Sequence, residues 1–507
     1  MPSSDTASPP PTQVRRRLGV LAVAFLIIAA SAPLTVIAGG ATSSFSVTRV
    51  LGVPFGYIVL AAALGVFAIG YAAMSRSVTS AGGFYTYIAQ GIGRPAGIGA
   101  AVIALIAYNA MQIGIYGMFG FQVSTFVAAR TGVEVPWWVP VAGCVAIVAW
   151  MGVNRVDLSA KVLGAVVALE FLAVLVFDIA AFSAPAEGHT IAPLTPDALF
   201  VSGVGAVLVF GIAAFMGFES AAIYGEEAKD PRRTIPRATF LALSVIGIFY
   251  AVSSWALALA VGPGRITGPE GIGPDEAGPP LFFNFVEARL GGMWGDLISV
   301  LFITSLFAAL MSFHNAVARY TFSLGRERVL PRALSSVRSG SGVPWAGSAA
   351  QTVLAVAVVG AFVVGEAGWD PNAGPYPVLT LFTWLTNTGA FGLVVLMALA
   401  SAAVIGYFAR DARGVGIGTR LVAPAAACVA LSTIALLILA NFDVLLDQTE
   451  PTVTTYLFPA LVIVPSIAAG LWALRLRRTR PEVYQGVGHG GADSRAPHLG
   501  AAAPDAS

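Results

Sequence analysis

The feature that most constrains this chain is a series of apolar runs, each about long enough to cross a bilayer. They lie at about 18–40, 52–74, 97–127, 137–153, 160–183, 200–224, 238–262, 294–323, 346–365, 377–408, 421–441 and 455–474. A helix needs about 20 apolar residues to span the hydrocarbon. Lipid offers no hydrogen-bond partners, so such runs must satisfy their backbone within helices. The pattern predicts an all-α integral membrane protein of about 12 transmembrane helices, called spans 1 to 12 below. Composition agrees: 57% of the 507 residues are hydrophobic and only 11% are charged, against about 25% charged in soluble domains. The first run has the basic start of a secretory signal and an Ala30-Ser31-Ala32 step, but it continues past that step to spanning length.

Charge sets the direction. With the N-terminus inside, the inside segments hold Arg76, Arg94, Arg155, Lys161, Lys229, Arg232, Arg233, Arg237, Arg326, Arg328, Arg332, Arg338, Arg410, Arg413 and Arg420. The outside segments hold only Arg49, Arg130, Arg265 and Arg289. This is the positive-inside asymmetry. It predicts a multi-pass protein of the cytoplasmic membrane with both termini cytoplasmic. The tails, 1–17 and 476–507, are polar and read as disordered. The net charge of +2 gives no case for nucleic acid. Cys144 and Cys428 sit in apolar runs and read as buried residues, and the four histidines lack zinc-type spacing. No phosphate loop, metal cluster or serine–histidine–carboxylate set is present in the sequence. The expectation is therefore no enzyme, no cofactor and no metal. Energy must then come from an ion gradient or from exchange.

The stretch from Val209 to Ala238 carries the most specific signal. Its first half is an apolar helix with one carboxylate, Glu219, beside Gly217 and Phe218. Its second half turns charged: Glu226, Glu227, Lys229, Asp230, Arg232 and Arg233, then Pro236. A carboxylate at membrane depth should face a cavity or a partner. Gly217-Phe218-Glu219-Ser220-Ala221, Glu226-Glu227 and Asp230-Pro231-Arg232-Arg233-Thr234-Ile235-Pro236-Arg237-Ala238 together resemble span 6 and the following loop of permeases of the amino acid–polyamine–organocation superfamily. Ser80 to Tyr85, before span 3, and Phe307 to Leu334, in span 8 and its loop, extend the resemblance. It implies an inverted five-helix repeat with broken helices 1 and 6, plus two extra helices. The first repeat would cover 18–183, the second 200–408 and the extra pair 419–475. The sequence holds an independent trace of that repeat. Gly82 to Gln90 before span 3 is similar to Leu281 to Arg289 before span 8, five spans later and on the opposite side. Chance likeness of two aromatic interfacial helices is the alternative.

The candidate site follows from the two breaks. Pro33 lacks an amide hydrogen, disfavours helix at Ala32 and suits the first turn of a new helix. Span 1 should therefore unwind over Ala30, Ser31 and Ala32 and restart at Pro33. The restarted helix would aim the amides of Leu34, Thr35 and Val36 inward as an anion site. A plain proline kink is the bland reading. The family carries a glycine-rich break here, whereas this chain has Ser-Ala-Pro. In span 6 the break is expected at Gly217. The resemblance implies that carbonyls of Ala214, Phe215 and Met216 meet an ammonium group, with Phe215 or Phe218 as a gate; ordinary packing is equally open for each.

Glu219 reads as a proton carrier, a structural hub or a partner for a cationic substrate. Glu170 in span 5 is the second proton-carrier candidate, and Asp178 lies nearer the outer end of that span. Asn109, Gln112 and Tyr116 share one face of span 3, which either lines a cavity or joins helices. Trp384, Thr386, Asn387 and Thr388 of span 10 are candidates for the opposite wall. His314 in span 8 reads as a packing residue. Glu226 or Glu227 pairing with Arg326 or Arg328 would make an inner gate, against a solvated face as the plain alternative.

These observations lead to a secondary transporter, a permease that moves an amino acid by alternating access. Its expected partners are the bilayer, a small-molecule substrate and a coupled proton, with sodium as the alternative ion. A polyamine or organic amine transporter and an amino acid exchanger are the near alternatives. A channel and a non-transporting sensor are the more distant ones.

Overall fold

The computed structural model of the protein describes residues 19–78, 83–154, 160–218, 229–269, 271–337, 344–446, 448 and 450–488. Among these residues there is no strand. Nine helices among the described residues are long and apolar enough to cross a membrane, and they correspond to spans 2, 3, 5 and 7–12. Span 4 is the 17-residue helix Trp138–Asn154. Span 1 is interrupted and span 6 is described as the helix Val204–Phe215, so each of the twelve expected spans has a counterpart among the described residues.

The break in span 1 and the end of the span 6 helix sit where local chemistry requires them. In span 1 the helix Val20–Ala30 ends at Ser31, and Ala32 takes φ 46°, ψ 70°. That left-handed conformation is costly for a residue with a Cβ. It persists because Pro33 cannot continue the helix from the preceding turn and instead opens a new one. The second half runs over 33–48, with a π-helical stretch at Val36–Ala41. In span 6 the helix Val204–Phe215 stops at Met216, whose ψ is 137°, and Gly217 follows at φ 105°. Only glycine adopts that φ without strain.

Close helix approach relies on missing side chains. A Cβ on Gly114 would lie 2.8 Å from Thr386, and one on Gly117 would lie 2.4 Å from the Pro377 carbonyl, so span 3 meets span 10 backbone to backbone. Span 3 also packs on spans 8 and 12. Span 5 packs on spans 7 and 8 and on both halves of span 1. Large apolar side chains such as Leu21, Trp150, Ile179, Ile248, Val364 and Val464 are exposed around the outside, as a lipid-facing surface demands. The helices Phe84–Gly91 and Pro280–Leu290 precede spans 3 and 8, matching the five-span offset read from the sequence.

One expectation needs correcting. Residues 476–488 do not form part of the disordered tail that polar composition suggests. Instead, span 12 continues to Thr479, and the helix Pro481–Gly486 turns back onto the bundle. Val483 and Val487 are buried with Ala89, Ile98, Ala473 and Leu476. The Gly488 amide donates to Glu327 Oε2 at 3.2 Å, while Tyr85 Oη donates to Glu327 Oε1 at 3.1 Å. The segment thereby clasps the helix 84–91 to the end of span 8. Apolar burial and a paired carboxylate supply what polar composition had hidden.

Candidate substrate and coupling site

The break in span 1 is held from three sides. From span 5, Glu170 Oε2 accepts the backbone amide of Leu34 at 3.4 Å. From span 8, Ser305 Oγ donates to the same oxygen at 3.0 Å. Ser305 Oγ also lies 2.9 Å from Thr35 Oγ1. A serine hydroxyl has one hydrogen to give, so Thr35 is the donor in that second contact. From span 7, Tyr250 Oη donates to the Ser31 carbonyl at 3.1 Å. Glu170 is 1% exposed and Tyr250 is fully buried.

This arrangement alters the expected anion site. The Leu34 amide does face inward, but an internal carboxylate already occupies it. The Val36 amide is not free either: it donates to the Ala32 carbonyl at 3.1 Å, closing the first turn after Pro33. Ser31 is buried and its Oγ donates back to the Ile28 carbonyl. The new helix therefore still presents a positive end, and its negative partner is Glu170.

At the break in span 6, Ala214, Phe215 and Met216 are buried and the Met216 amide donates to the Ala213 carbonyl at 3.2 Å. A helix end leaves its last carbonyls without intrahelical amides, so Ala214, Phe215 and Met216 are placed where such groups occur. Phe215 packs between Tyr57 and Tyr250, with ring centroids at 6.3 and 5.9 Å. Tyr250 thus touches span 1 at its break and span 6 at the end of its helix. Phe218 meets Phe67 edge-on at 6.0 Å, and both phenylalanines are tightly buried in ring contacts. Glu219, Glu226 and Glu227 lie outside the described residues. Arg326 and Arg328 are exposed at the end of span 8, Arg326 over the ring of Phe322 at 5.5 Å.

The polar face of span 3 turns toward spans 8 and 9. Gln112 Nε2 is 3.3 Å from His314 Nδ1 and 3.5 Å from Tyr116 Oη. Its Oε1 accepts from Gln351 Nε2, and His314 Nε2 is 2.6 Å from Ser348 Oγ. Gln112 is thereby committed to a buried cross-link among spans 3, 8 and 9, and Tyr116 supports it from within span 3. Asn109 donates to the Leu105 carbonyl at 2.6 Å. Trp384 rests against Phe362 and Phe458, at 6.1 and 5.6 Å, on the side of spans 9 and 12. Its neighbour Asn387 is fully buried with neither amide atom paired to protein. No group of three or more metal-ligating side chains occurs among the described residues.

Sequence reasoning singled out Glu170, Ser31, Leu34 and Thr35 but missed Ser305 and Tyr250. Ser305 is one serine in an apolar helix and gives no local signal. Tyr250 did have one: Tyr250, Ser253 and Ser254 lie one turn apart and mark a polar face on span 7.

The described residues thus form a helical membrane bundle in which span 1 is interrupted, the first helix of span 6 ends at Met216, and both ends meet around buried polar groups. The chain belongs to the amino acid permease family, whose profile matches residues 18–468. It is similar to a transporter of Mycobacterium tuberculosis, Rv1999c, at 28% identity over 78% of this chain and 81% of that one. It is also similar to the branched-chain amino acid permease BcaP of Lactococcus lactis, at 25% identity over 61% of this chain and 68% of that one. The low-affinity putrescine importer PlaP of Escherichia coli matches at 24% identity over 63% and 69%. Among solved structures, MhsT in complex with L-phenylalanine shares the fold, with a TM-score of 0.51, 13% identity, and coverage of 89% of this chain and 97% of that one.

Proposed function

We propose that the protein imports an amino acid across the cytoplasmic membrane by alternating access and that Glu170 couples this to protons. The observation that carries the reading is the contact of Glu170 with the Leu34 amide and Ser305. A substrate carboxylate seeking the helix end at Pro33 meets a carboxylate already there. Two negative charges can share one helix end only if one of them takes a proton. Substrate binding would then draw a proton onto Glu170, and release of one would favour release of the other. Reciprocity of this kind is what symport requires.

The remaining parts fit around this centre. Carbonyls of Ala214, Phe215 and Met216 would receive the substrate ammonium group. Both tails would be cytoplasmic, from the arginine asymmetry. The two five-span units would be 18–183 and 200–408, and Arg326 or Arg328 would close the inner side against Glu226 or Glu227. A cationic amine is the second reading, because a buried carboxylate at the break is also a counter-ion.

The test is uptake by the full-length protein in liposomes, with L-leucine and putrescine as probes. An inward proton gradient should drive accumulation of one of them. Glu170→Gln keeps the size and the hydrogen-bonding groups but cannot release a proton. It should retain exchange of substrate across the membrane and lose gradient-driven accumulation. Accumulation at the wild-type level in that variant would reject Glu170 as the coupling group.

A further inference from the structure

Span 5 carries a second buried carboxylate that this cycle leaves unused. Asp178 is 5% exposed and lies eight residues beyond Glu170 in the helix Ala160–Ser183. At 1.5 Å per residue the two are about 12 Å apart along the axis. Ser253 Oγ of span 7 donates to Asp178 Oδ2 at 2.7 Å. Oδ1 is buried and has no protein partner. The same face of span 7 carries Tyr250 one turn earlier, and Tyr250 Oη holds the Ser31 carbonyl at the break. One side of span 7 therefore runs from Asp178 to the break that Glu170 contacts.

No cation compensates Asp178 among the described residues. The ion pairs there are Arg130–Asp296, Arg233–Asp230, Arg265–Glu276 and Arg413–Asp411. Beyond the Ser183 end of span 5, the exposed His189 has its Nε2 2.8 Å from the Phe182 carbonyl, and the other ionisable groups around span 5 lie on the elements packed against it. On span 7 they are Tyr250 and, at the opposite end from Ser253, Arg232, Arg233 and Arg237. On span 8 they are Asp296, which is paired, His314, which is bonded to Ser348, and Tyr320, Arg319 and Arg326. On the helix 280–290 they are Glu287 and Arg289, both exposed. The helices of span 1 contribute none. A buried carboxyl with one oxygen held and one bare, unsupported by a cation, is expensive as a mere packing group. It is well suited to passing a proton.

We propose that Asp178 is the relay through which protons reach Glu170 from the face of the membrane opposite the arginine-rich loops. The inference rests on the reading of Glu170 as the coupling group. In the transfer, the proton leaves Oδ1 of Asp178, crosses intervening water and ends on a carboxylate oxygen of Glu170. Asp178 is left as a carboxylate, held by the Ser253 hydroxyl, and is recharged from solution.

The test uses the proton itself as probe. Full-length protein reconstituted in one orientation receives a step of acid on the face nearer Asp178, and the infrared band of protonated carboxyl groups is followed in time. The component lost in Glu170→Gln identifies Glu170. In Asp178→Asn, growth of that component should slow about a hundredfold, the scale of a lost proton-transfer group. Asp178→Glu should restore much of the rate, which a purely structural role would not. Should Asp178→Asn not fold, Ser253→Ala supplies the same reading: the carboxyl loses its fixed partner and the component should grow more slowly. Growth at the wild-type rate in Asp178→Asn, or in Ser253→Ala where that variant stands in, overturns the relay. If Glu170→Gln removes no component at all, the coupling role of Glu170 fails instead, and the relay fails with it.

Discussion

The Leu34 amide and the Glu170 carboxylate meet at 3.4 Å although 136 residues separate them in the chain. The contact exists only because Pro33 restarts span 1 and so turns a backbone donor away from its own helix. A continuous helix would spend the Leu34 amide on residue 30. Pro33→Ala should therefore weaken substrate binding more than it lowers folded yield. An unchanged dissociation constant in well-folded Pro33→Ala protein would reduce Pro33 to a kink.

Ala32 tests the same break through stability. It holds φ 46° with a Cβ in place. Ala32→Gly relieves that strain and should stabilise the protein by about 1 kcal/mol. A raised thermal midpoint is the expected result; a lowered one would show that the left-handed turn costs nothing here.

Gly152 in span 4 lies against the cross-link of spans 3, 8 and 9. A Cβ there would be 2.5 Å from His314 Nε2 and 2.6 Å from Ser348 Oγ. Gly152→Ala should part that hydrogen bond and cost about 1–3 kcal/mol, as overpacking does. Denaturation in detergent measures it, and a change within error would mean that span 4 can retreat freely.

Glu327 provides a test of the C-terminal clasp. Glu327→Ala leaves Tyr85 Oη and the Gly488 amide without their shared acceptor. Val487, now 1% exposed, should be released. With Cys144 and Cys428 replaced, Val487→Cys should react slowly with a maleimide in the otherwise unaltered chain and much faster alongside Glu327→Ala. Equal rates would show that the apolar contacts of Val483 and Val487, with the Gln90 bond to the Gly488 carbonyl, suffice without Glu327.

Asn387 should behave unlike most buried polar residues. Neither amide atom is paired to protein, so replacing it with leucine removes an unmet cost instead of a bond. Asn387→Leu should keep or raise the thermal midpoint. A lowered midpoint would mean that the amide is satisfied within the fold.

Much of this architecture was legible because it rests on local chemistry. Run length gave the spans, and Pro33 and Gly217 located the breaks, since each restricts or permits a backbone conformation by itself. What was not legible is tertiary. The face formed by Asn109, Gln112 and Tyr116 could be drawn from helical spacing, but spacing does not say which neighbour it meets. The structure turns Gln112 to His314 and Gln351, with Tyr116 bonded to Gln112. Glu170 could be named as a candidate, yet its partners Ser305 and Leu34 come from two other spans. The C-terminal segment was misread because polar composition outweighed Val483 and Val487, whose four-residue spacing was the available sign of a docked helical turn.

Tyr250 has a mechanical consequence. Its hydroxyl grips the Ser31 carbonyl and its ring lies on Phe215, so span 7 is pinned to the helix ends of spans 1 and 6. Gln112, His314 and Gln351 staple spans 3, 8 and 9 in the same way. Ser305 of span 8 bonds to Thr35 of span 1 and to Glu170 of span 5, so the bonds that join the two sets of spans are those at the break itself, and a rearrangement that spares both sets must exchange these. Spin labels on spans 1 and 7 should keep their separation as the molecule turns over. A pair on spans 7 and 9 should not.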